Sequence, residues 1–330
     1  MQKYHTMNNK PFTRRDFVKT SALGATAVIA GCKTTNGLNA YEAKGLPTTE
    51  LGKTGVRIPR IAIGCGSRFM AADTDASIEM LEYALENGLY YWDTANNYVN
   101  NDTKEASEER LGRVLKSRRK EVFLSTKVAA RDVDGFQKQL ETSLKRLQTD
   151  HLDVLNIHSI ESVDDAKQLG KTVEVLKRTQ EQGIARFVGF TGHTTSKGMA
   201  YVAKNYGLDF MLCALNHMQQ GREAFEGQAV PAAHDNGLGV MVMKVIRPRE
   251  TVESLEPAQL IRYALSLPKV DGAVISMQNL DIMKQNIALL KSFSPMSEEE
   301  MEGMTMRLEP FFRSEQLQWM QPGYRDGAWV

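Results

Sequence analysis

The sequence predicts an α/β fold closed as a (β/α)8 TIM barrel, with an N-terminal hairpin and a C-terminal helical tail. Three observations carry this expectation. From about residue 60, eight short apolar runs alternate with amphipathic segments. Each run is too continuously apolar to have a wet face, which is the mark of a parallel sheet covered by helices. The first run is followed by Gly64-Cys65-Gly66-Ser67-Arg68-Phe69. That stretch lacks the third glycine and the tight step into a helix that an open doubly wound sheet uses for a dinucleotide. Eight such units with no second core close best as a barrel.

The elements follow in order. A hairpin from Leu46 to Arg57, turning around Lys53-Thr54-Gly55, is expected to plug the bottom of the barrel. The strand candidates are Ile61 to Cys65, Tyr90 to Trp92, Val122 to Leu124, Leu152 to Ile157 and Phe187 to Phe190. They continue with Phe210 to Leu215, Val240 to Met243 and Gly272 to Ile275. Between them, Ser77 to Glu86, Glu108 to Lys116, Gly135 to Leu147, Asp165 to Gln182 and Leu280 to Leu290 repeat apolar residues at three- and four-residue steps, the helical period. Asn87-Gly88 and Gln182-Gly183 supply left-handed helix stops. Ser297-Glu298-Glu299-Glu300 supplies a capping-box start for a last helix.

The composition, 42% apolar and 25% charged, is that of a globular chain with a full core. A net charge of +1 gives no footprint for nucleic acid and no polybasic membrane patch. The organisation reads as a signal over residues 1–32, a linker over 33–46 and one barrel domain over 47–330.

Thr13-Arg14-Arg15-Asp16-Phe17-Val18-Lys19, followed by a mild apolar stretch to Gly31, resembles the address read by the twin-arginine export machinery. That stretch is too short and too rich in Ala, Thr and Gly to span a bilayer. Ile29-Ala30-Gly31-Cys32 resembles a bacterial lipobox, which would make Cys32 a lipidated membrane anchor on the periplasmic side of the cell envelope. Thr34-Thr35-Asn36-Gly37 then reads as tether. Cys65 and Cys213 remain, both inside apolar runs, as small buried hydrophobes with no metal site implied. Twin-arginine export carries folded proteins, so a cofactor would be loaded before export.

Four residues carry the chemistry. Asp93 closes one strand and Tyr98 follows five residues later; Lys127 and His158 end the next two strands. In a barrel, carboxyl ends of adjacent strands share the active face. A tyrosine titrates near 10, so its use as an acid near neutrality requires a shift of about 3 units, about 4 kcal/mol. One ammonium about 4 Å away at an effective dielectric of about 20 supplies that much. Lys127 fits that part, Asp93 would hold it, and a neutral His158 would hydrogen-bond a carbonyl oxygen. A structural Lys-Asp pair, a packed tyrosine and a core histidine remain the plainer alternatives for each residue singly.

The chain resembles the aldo-keto reductase family, over Leu51-Gly-Lys-Thr-Gly-Val56, Trp92-Asp93-Thr-Ala95 with Tyr98, Glu109-Arg-Leu-Gly112, Ser125-Thr-Lys127, Ser143-Leu-Lys-Arg-Leu147 and Leu152-Asp-Val-Leu-Asn-Ile-His158. The resemblance implies reduction of an aldehyde or ketone with NAD(P)H, or the reverse, with Tyr98 as proton donor supported by Asp93, Lys127 and His158. It also implies cofactor contacts at Thr191, Lys244, Ser276, Met277, Gln278, Gln285 and Asn286, with NADP(H) favoured over NAD(H). The cofactor half departs from the family: Thr191-Gly192-His193 stands where a Ser-Asn pair is common, Leu212 to Asn216 lacks a glutamine, and Met243-Lys244-Val245 replaces a stacking aromatic. Phe311, Phe312, Trp319, Tyr324 and Trp329 would shape a substrate pocket or simply pack. Two other readings stand: a Schiff-base lyase or aldolase using Lys127, and a binding lipoprotein that kept the barrel without turnover.

Overall fold

The computed structural model describes residues 41–215, 224–250, 252–313 and 328–329. The arginine pair, Cys32, Asn216, Trp319 and Tyr324 lie outside the described residues. A short antiparallel pair, β1 (Thr48–Glu50) and β2 (Arg57–Pro59), precedes the barrel. The barrel strands are β3 (Ile61–Gly64), β4 (Tyr91–Asp93), β6 (Phe123–Val128), β7 (Leu152–Ile160), β8 (Ala185–Gly192), β9 (Phe210–Ala214), β10 (Gly239–Met243) and β11 (Gly272–Ile275). All eight pair in parallel and close as β10-β11-β3-β4-β6-β7-β8-β9. Every sequence-predicted strand is present. Outside the barrel, β5 (Val99–Asn100) pairs in parallel with β12 (Ala328–Trp329), which brings the far end of the chain beside Tyr98.

The helices are α1 (Ser67–Met70), α2 (Thr74–Glu86), α3 (Ser107–Arg118), α4 (Val133–Leu147), α5 (Val163–Gln168), α6 (Gly170–Glu181), α7 (Ser196–Asn205), α8 (Ala229–Asp235), α9 (Pro257–Ser266), α10 (Leu280–Lys291) and α11 (Glu298–Arg313). Side chains of Asp73, Asp132, Ser162, Thr195 and Asn279 accept from the first-turn amides of α2, α4, α5, α7 and α10, satisfying donors the helix leaves unpaired. The single helix expected over Asp165 to Gln182 is two. It breaks at buried Leu169, next to Gly170, a residue that costs a helix about 1 kcal/mol relative to alanine.

Trp92, Phe123, Phe136, Phe190 and Phe210 are fully buried, each contributing about 1.5–3 kcal/mol by leaving water. At the amino ends of the strands, carboxylates set register. Asp153, Asp209 and Asp271 accept the amides of Leu124, Val188 and Val240 on neighbouring strands, at 2.9, 3.0 and 2.8 Å.

The hairpin docks on this end. Gly52 donates to Asp271 Oδ2 at 3.1 Å, and Lys53 donates its amide to Gly237 O at 2.9 Å. Gly52 has φ +51°, and a Cβ there would stand 2.3 Å from Gly239 N. Gly52→Ala is therefore expected to lower the unfolding free energy by about 1–3 kcal/mol. Urea midpoints compare the variant with the parent, and an unchanged midpoint would show that the hairpin does not close the base.

The packed unit begins earlier than the linker boundary at residue 46. Tyr41 stacks on Tyr90 with centroids 5.1 Å apart and donates to Asp153 Oδ1 at 2.5 Å, and Leu46 is buried. An aromatic and an apolar side chain in this stretch find the barrel base. The Ala43 carbonyl also crosses Gly88 so closely that a Cβ would meet it at 2.1 Å, which adds to the left-handed φ of +86° in requiring glycine there.

Candidate active site

Strand register brings Asp93, Lys127 and His158 to one end of the barrel. Gly64 pairs with Asp93, Asp93 with Ser125, and Lys127 with Asn156. Tyr98 sits in the loop beyond β4, held where its carbonyl accepts the Ser107 amide at 2.8 Å, at the start of α3. All four sequence-predicted residues are buried, none more than 6% exposed. Lys127 Nζ donates to Asp93 Oδ2 at 2.5 Å and to Thr94 O at 2.6 Å. The same ammonium stands 5.0 Å from the Tyr98 ring centroid. The His158 ring meets Tyr98 edge-on, with centroids 5.8 Å apart and planes at 73°.

Two residues in this constellation escaped the sequence reading. Ser125 donates to Asp93 Oδ1 at 2.9 Å, and Asn156 Nδ2 donates to Ser125 Oγ at 3.0 Å. Asp93 thus has a partner on each oxygen, an ion pair on one side and a hydroxyl on the other. The signal was present in the spacing. Ser125 lies two residues before Lys127 and Asn156 two before His158, so strand alternation puts each on the same face.

A cleft opens over the ends of β3, β4, β10 and β11. Asp93 and Tyr98 line it on one side; Arg68, Lys244, Arg247 and Ser276 line it on the other. Asp93 is its one acid among the described residues, and that acid is already paired. The balance of charge in the cleft favours an anion. Lys244 follows β10 with φ +64°, a conformation uncommon for a residue with a side chain and concentrated at functional sites.

The other residues expected to touch a cofactor are scattered. Ser276 lines the cleft and donates to Gly64 O at 2.5 Å. Met277 is fully buried among apolar side chains. Gln278 and Gln285 are exposed, Gln278 with Oε1 3.5 Å from Arg68 Nη1. Asn286 is buried on α10, and its Nδ2 has no hydrogen-bond partner among the described residues. Thr191 is fully buried and does not line the cleft; its Oγ1 accepts the Ser159 amide at 3.0 Å. Burial pushes the Cys65 and Cys213 thiols well above their usual range, so both are inert core residues.

Residues 60–247, more than half of the chain, match the aldo/keto reductase family. The chain belongs to that family. It is 29% identical over 210 residues to "Uncharacterized oxidoreductase YrpG" of Bacillus subtilis, a match covering 58% of this chain and 64% of that protein. It is 30% identical over 155 residues to L-galactose dehydrogenase of Arabidopsis thaliana, covering 43% of this chain and 47% of that one. The chain therefore spans roughly half to two thirds of these relatives' length. Aldo-keto reductase AKR11C1 from Bacillus halodurans, solved in its holo form, superposes with a TM-score of 0.66 at 19% identity, over 84% of this chain and all of that one. This aldo-keto reductase thus shares its barrel with solved members and combines it with the Asp93, Tyr98, Lys127 and His158 cluster described above.

Proposed function

We propose that this aldo-keto reductase interconverts an aldehyde or ketone and its alcohol with NAD(P)H, and that Tyr98 gives the carbonyl oxygen its proton. The observation that carries the reading is the position of Tyr98. It is the one phenol that lines the cleft among the described residues, and its ring centroid lies 5.0 Å from the buried ammonium of Lys127. A positive charge at that range favours the phenolate over the phenol, which makes the phenol a better acid. Asp93 pairs with Lys127 at 2.5 Å in a buried site where an unpartnered charge would be costly. Ser125 in turn holds Asp93. In this reading His158, whose ring meets Tyr98 edge-on, donates to the carbonyl oxygen and fixes the substrate against Tyr98.

A nicotinamide cofactor supplies the hydride in this reaction. The chain offers groups that suit one. Arg68, Lys244 and Arg247 bring three positive charges to the cleft for phosphates. Asn286 offers a buried amide whose Nδ2 lacks a partner among the described residues. NADP(H) is the preferred form in this proposal, and a relative named aldo-keto reductase yakc [NADP(+)] of Schizosaccharomyces pombe, 29% identical over 163 residues, supports it. Fluorescence titration is expected to show tighter binding of NADPH than NADH, and Lys244→Ala is expected to weaken NADPH by about 10-fold or more. Equal affinity for the two nucleotides would end the NADP(H) preference.

The Schiff-base alternative is disfavoured by the state of Lys127. Its side chain is fully buried, ion-paired and absent from the cleft lining.

The same proposal places the enzyme at the periplasmic side of the envelope, exported through Arg14 and Arg15 and anchored by a lipid on Cys32, with its cofactor loaded before export. Support lies in the order of the N-terminal residues alone. Labelling cells with a fatty-acid probe is expected to tag the parent chain but not Cys32→Ser; label retained in Cys32→Ser would refute the anchor.

A further inference from the structure

We propose that Arg131 and Thr191 are positioning residues for His158, acting through a one-residue bulge at Ser159. The inference rests on the reading above in which His158 meets the reacting carbonyl. It also gives Thr191 a different part from the cofactor contact that family resemblance implies.

The register of β7 against β8 contains the first observation. Leu155 to Ile157 pair regularly with Val188 to Phe190. Pairing then resumes at Ile160 with Gly192. Three steps along β7 are matched by two along β8, so β7 carries one extra residue at His158-Ser159. Ser159 takes the left-handed φ of +56° that such a bulge imposes, although it is not glycine. Bulges next to active sites re-aim a side chain. Here the side chain at the bulge is His158.

The second observation is what holds the bulge. Its backbone groups are met by side chains. Thr191 Oγ1 accepts the Ser159 amide at 3.0 Å. Arg131 Nη2 donates to the His158 carbonyl at 3.0 Å and to the Ser159 carbonyl at 2.8 Å. Arg131 is itself held in a fork on Asp165, at 2.9 and 3.1 Å. Asp165 also accepts the Glu161 amide at 3.0 Å, so the fork is tied to the residues just beyond the bulge. One clamp comes from β8 and the other from the loop after β6; both hold Ser159, and Arg131 holds the His158 carbonyl as well. Arg131, Thr191 and His158 all stand behind the residues that line the cleft. The two clamps reach the reaction in this proposal through the place and angle of the His158 ring, 5.8 Å and 73° from Tyr98.

Thr191→Val keeps the shape of the side chain and removes its acceptor. It is expected to lower kcat by about 10-fold, because small misplacements of a catalytic group cost about that or more. Cofactor affinity, read by fluorescence titration, should stay within about 2-fold, and Thr191→Ser should restore the parent rate. In a His158→Ala background Thr191→Val should cost less than about 2-fold, since two changes acting through one group do not multiply. Losses that multiply in the double variant, or a weakened cofactor with unchanged kcat, overturn the proposal; the latter would return Thr191 to the cofactor. Arg131→Lys runs through the same cycle should Thr191→Val fail to fold. A readout independent of turnover accompanies both. The ring-proton resonances of His158, identified by their loss in His158→Ala, should move in each variant while those of His151 and His234 stay. Unmoved His158 resonances overturn the proposal whatever the rates. Absence of carbonyl reduction by the unaltered enzyme defeats the parent reading instead, and the resonances still decide this one.

Discussion

Tyr98→Phe is expected to lower kcat for NAD(P)H-dependent carbonyl reduction by about 10² to 10⁴-fold, the range that a positioned proton donor contributes. The substitution is mild in every other respect. The ring that Lys127 faces at 5.0 Å and that His158 meets edge-on remains. Because the hydroxyl alone is lost, cofactor affinity and the unfolding midpoint should stay near those of the parent. Steady-state rates with a small aldehyde provide the measurement. A variant that keeps more than about a tenth of the parent kcat would remove Tyr98 from the role of acid.

Lys127→Met should be more damaging, because it acts on both activity and stability. Asp93 is 2% exposed, and its Oδ2 is held by Lys127 at 2.5 Å. Removing the cation leaves a buried carboxylate that keeps the Ser125 hydroxyl as a donor on its other oxygen. Breaking one side of a buried pair costs about 3–5 kcal/mol. Urea denaturation should show that loss, and reduction should fall at least as far as in Tyr98→Phe. Adding Asp93→Asn to Lys127→Met removes the stranded charge, so stability should return in large part while activity stays absent. If the double variant is no more stable than Lys127→Met, the pair is not what stabilises this end of the barrel.

The two variants separate parts of the chain that differ in how visible they are in sequence. The barrel strands were legible as apolar runs, and Asp93, Lys127 and His158 stood out as polar side chains near the ends of three of them, with family spacing as a second constraint that also picked out Tyr98. Ser125 and Asn156 were as legible in principle, two residues before Lys127 and His158, yet a polar residue inside an apolar run reads first as an exception. Thr191 shows the limit. Its hydroxyl was expected at the cofactor; in the structure it accepts an amide 32 residues away, brought there by a bulge that no local pattern announces. The left-handed Lys244 is of the same kind, since nothing in Met243-Lys244-Val245 specifies that backbone. Tyr41 lay in a stretch read as tether because its packing depends on Tyr90 and Asp153, which are distant in sequence.

That contact fixes where the N-terminal segment meets the barrel. Tyr41 is fastened to Asp153 near the amino end of β7, on the side of the barrel opposite Tyr98 and the cleft. Eight residues, 33–40, separate it from Cys32, and eight residues reach no more than about 28 Å. If Cys32 carries the proposed lipid, a leash of that length attaches to the base of the barrel and leaves the mouth as the end farther from the lipid. Its substrates would then arrive from the aqueous compartment rather than by lateral diffusion within the membrane.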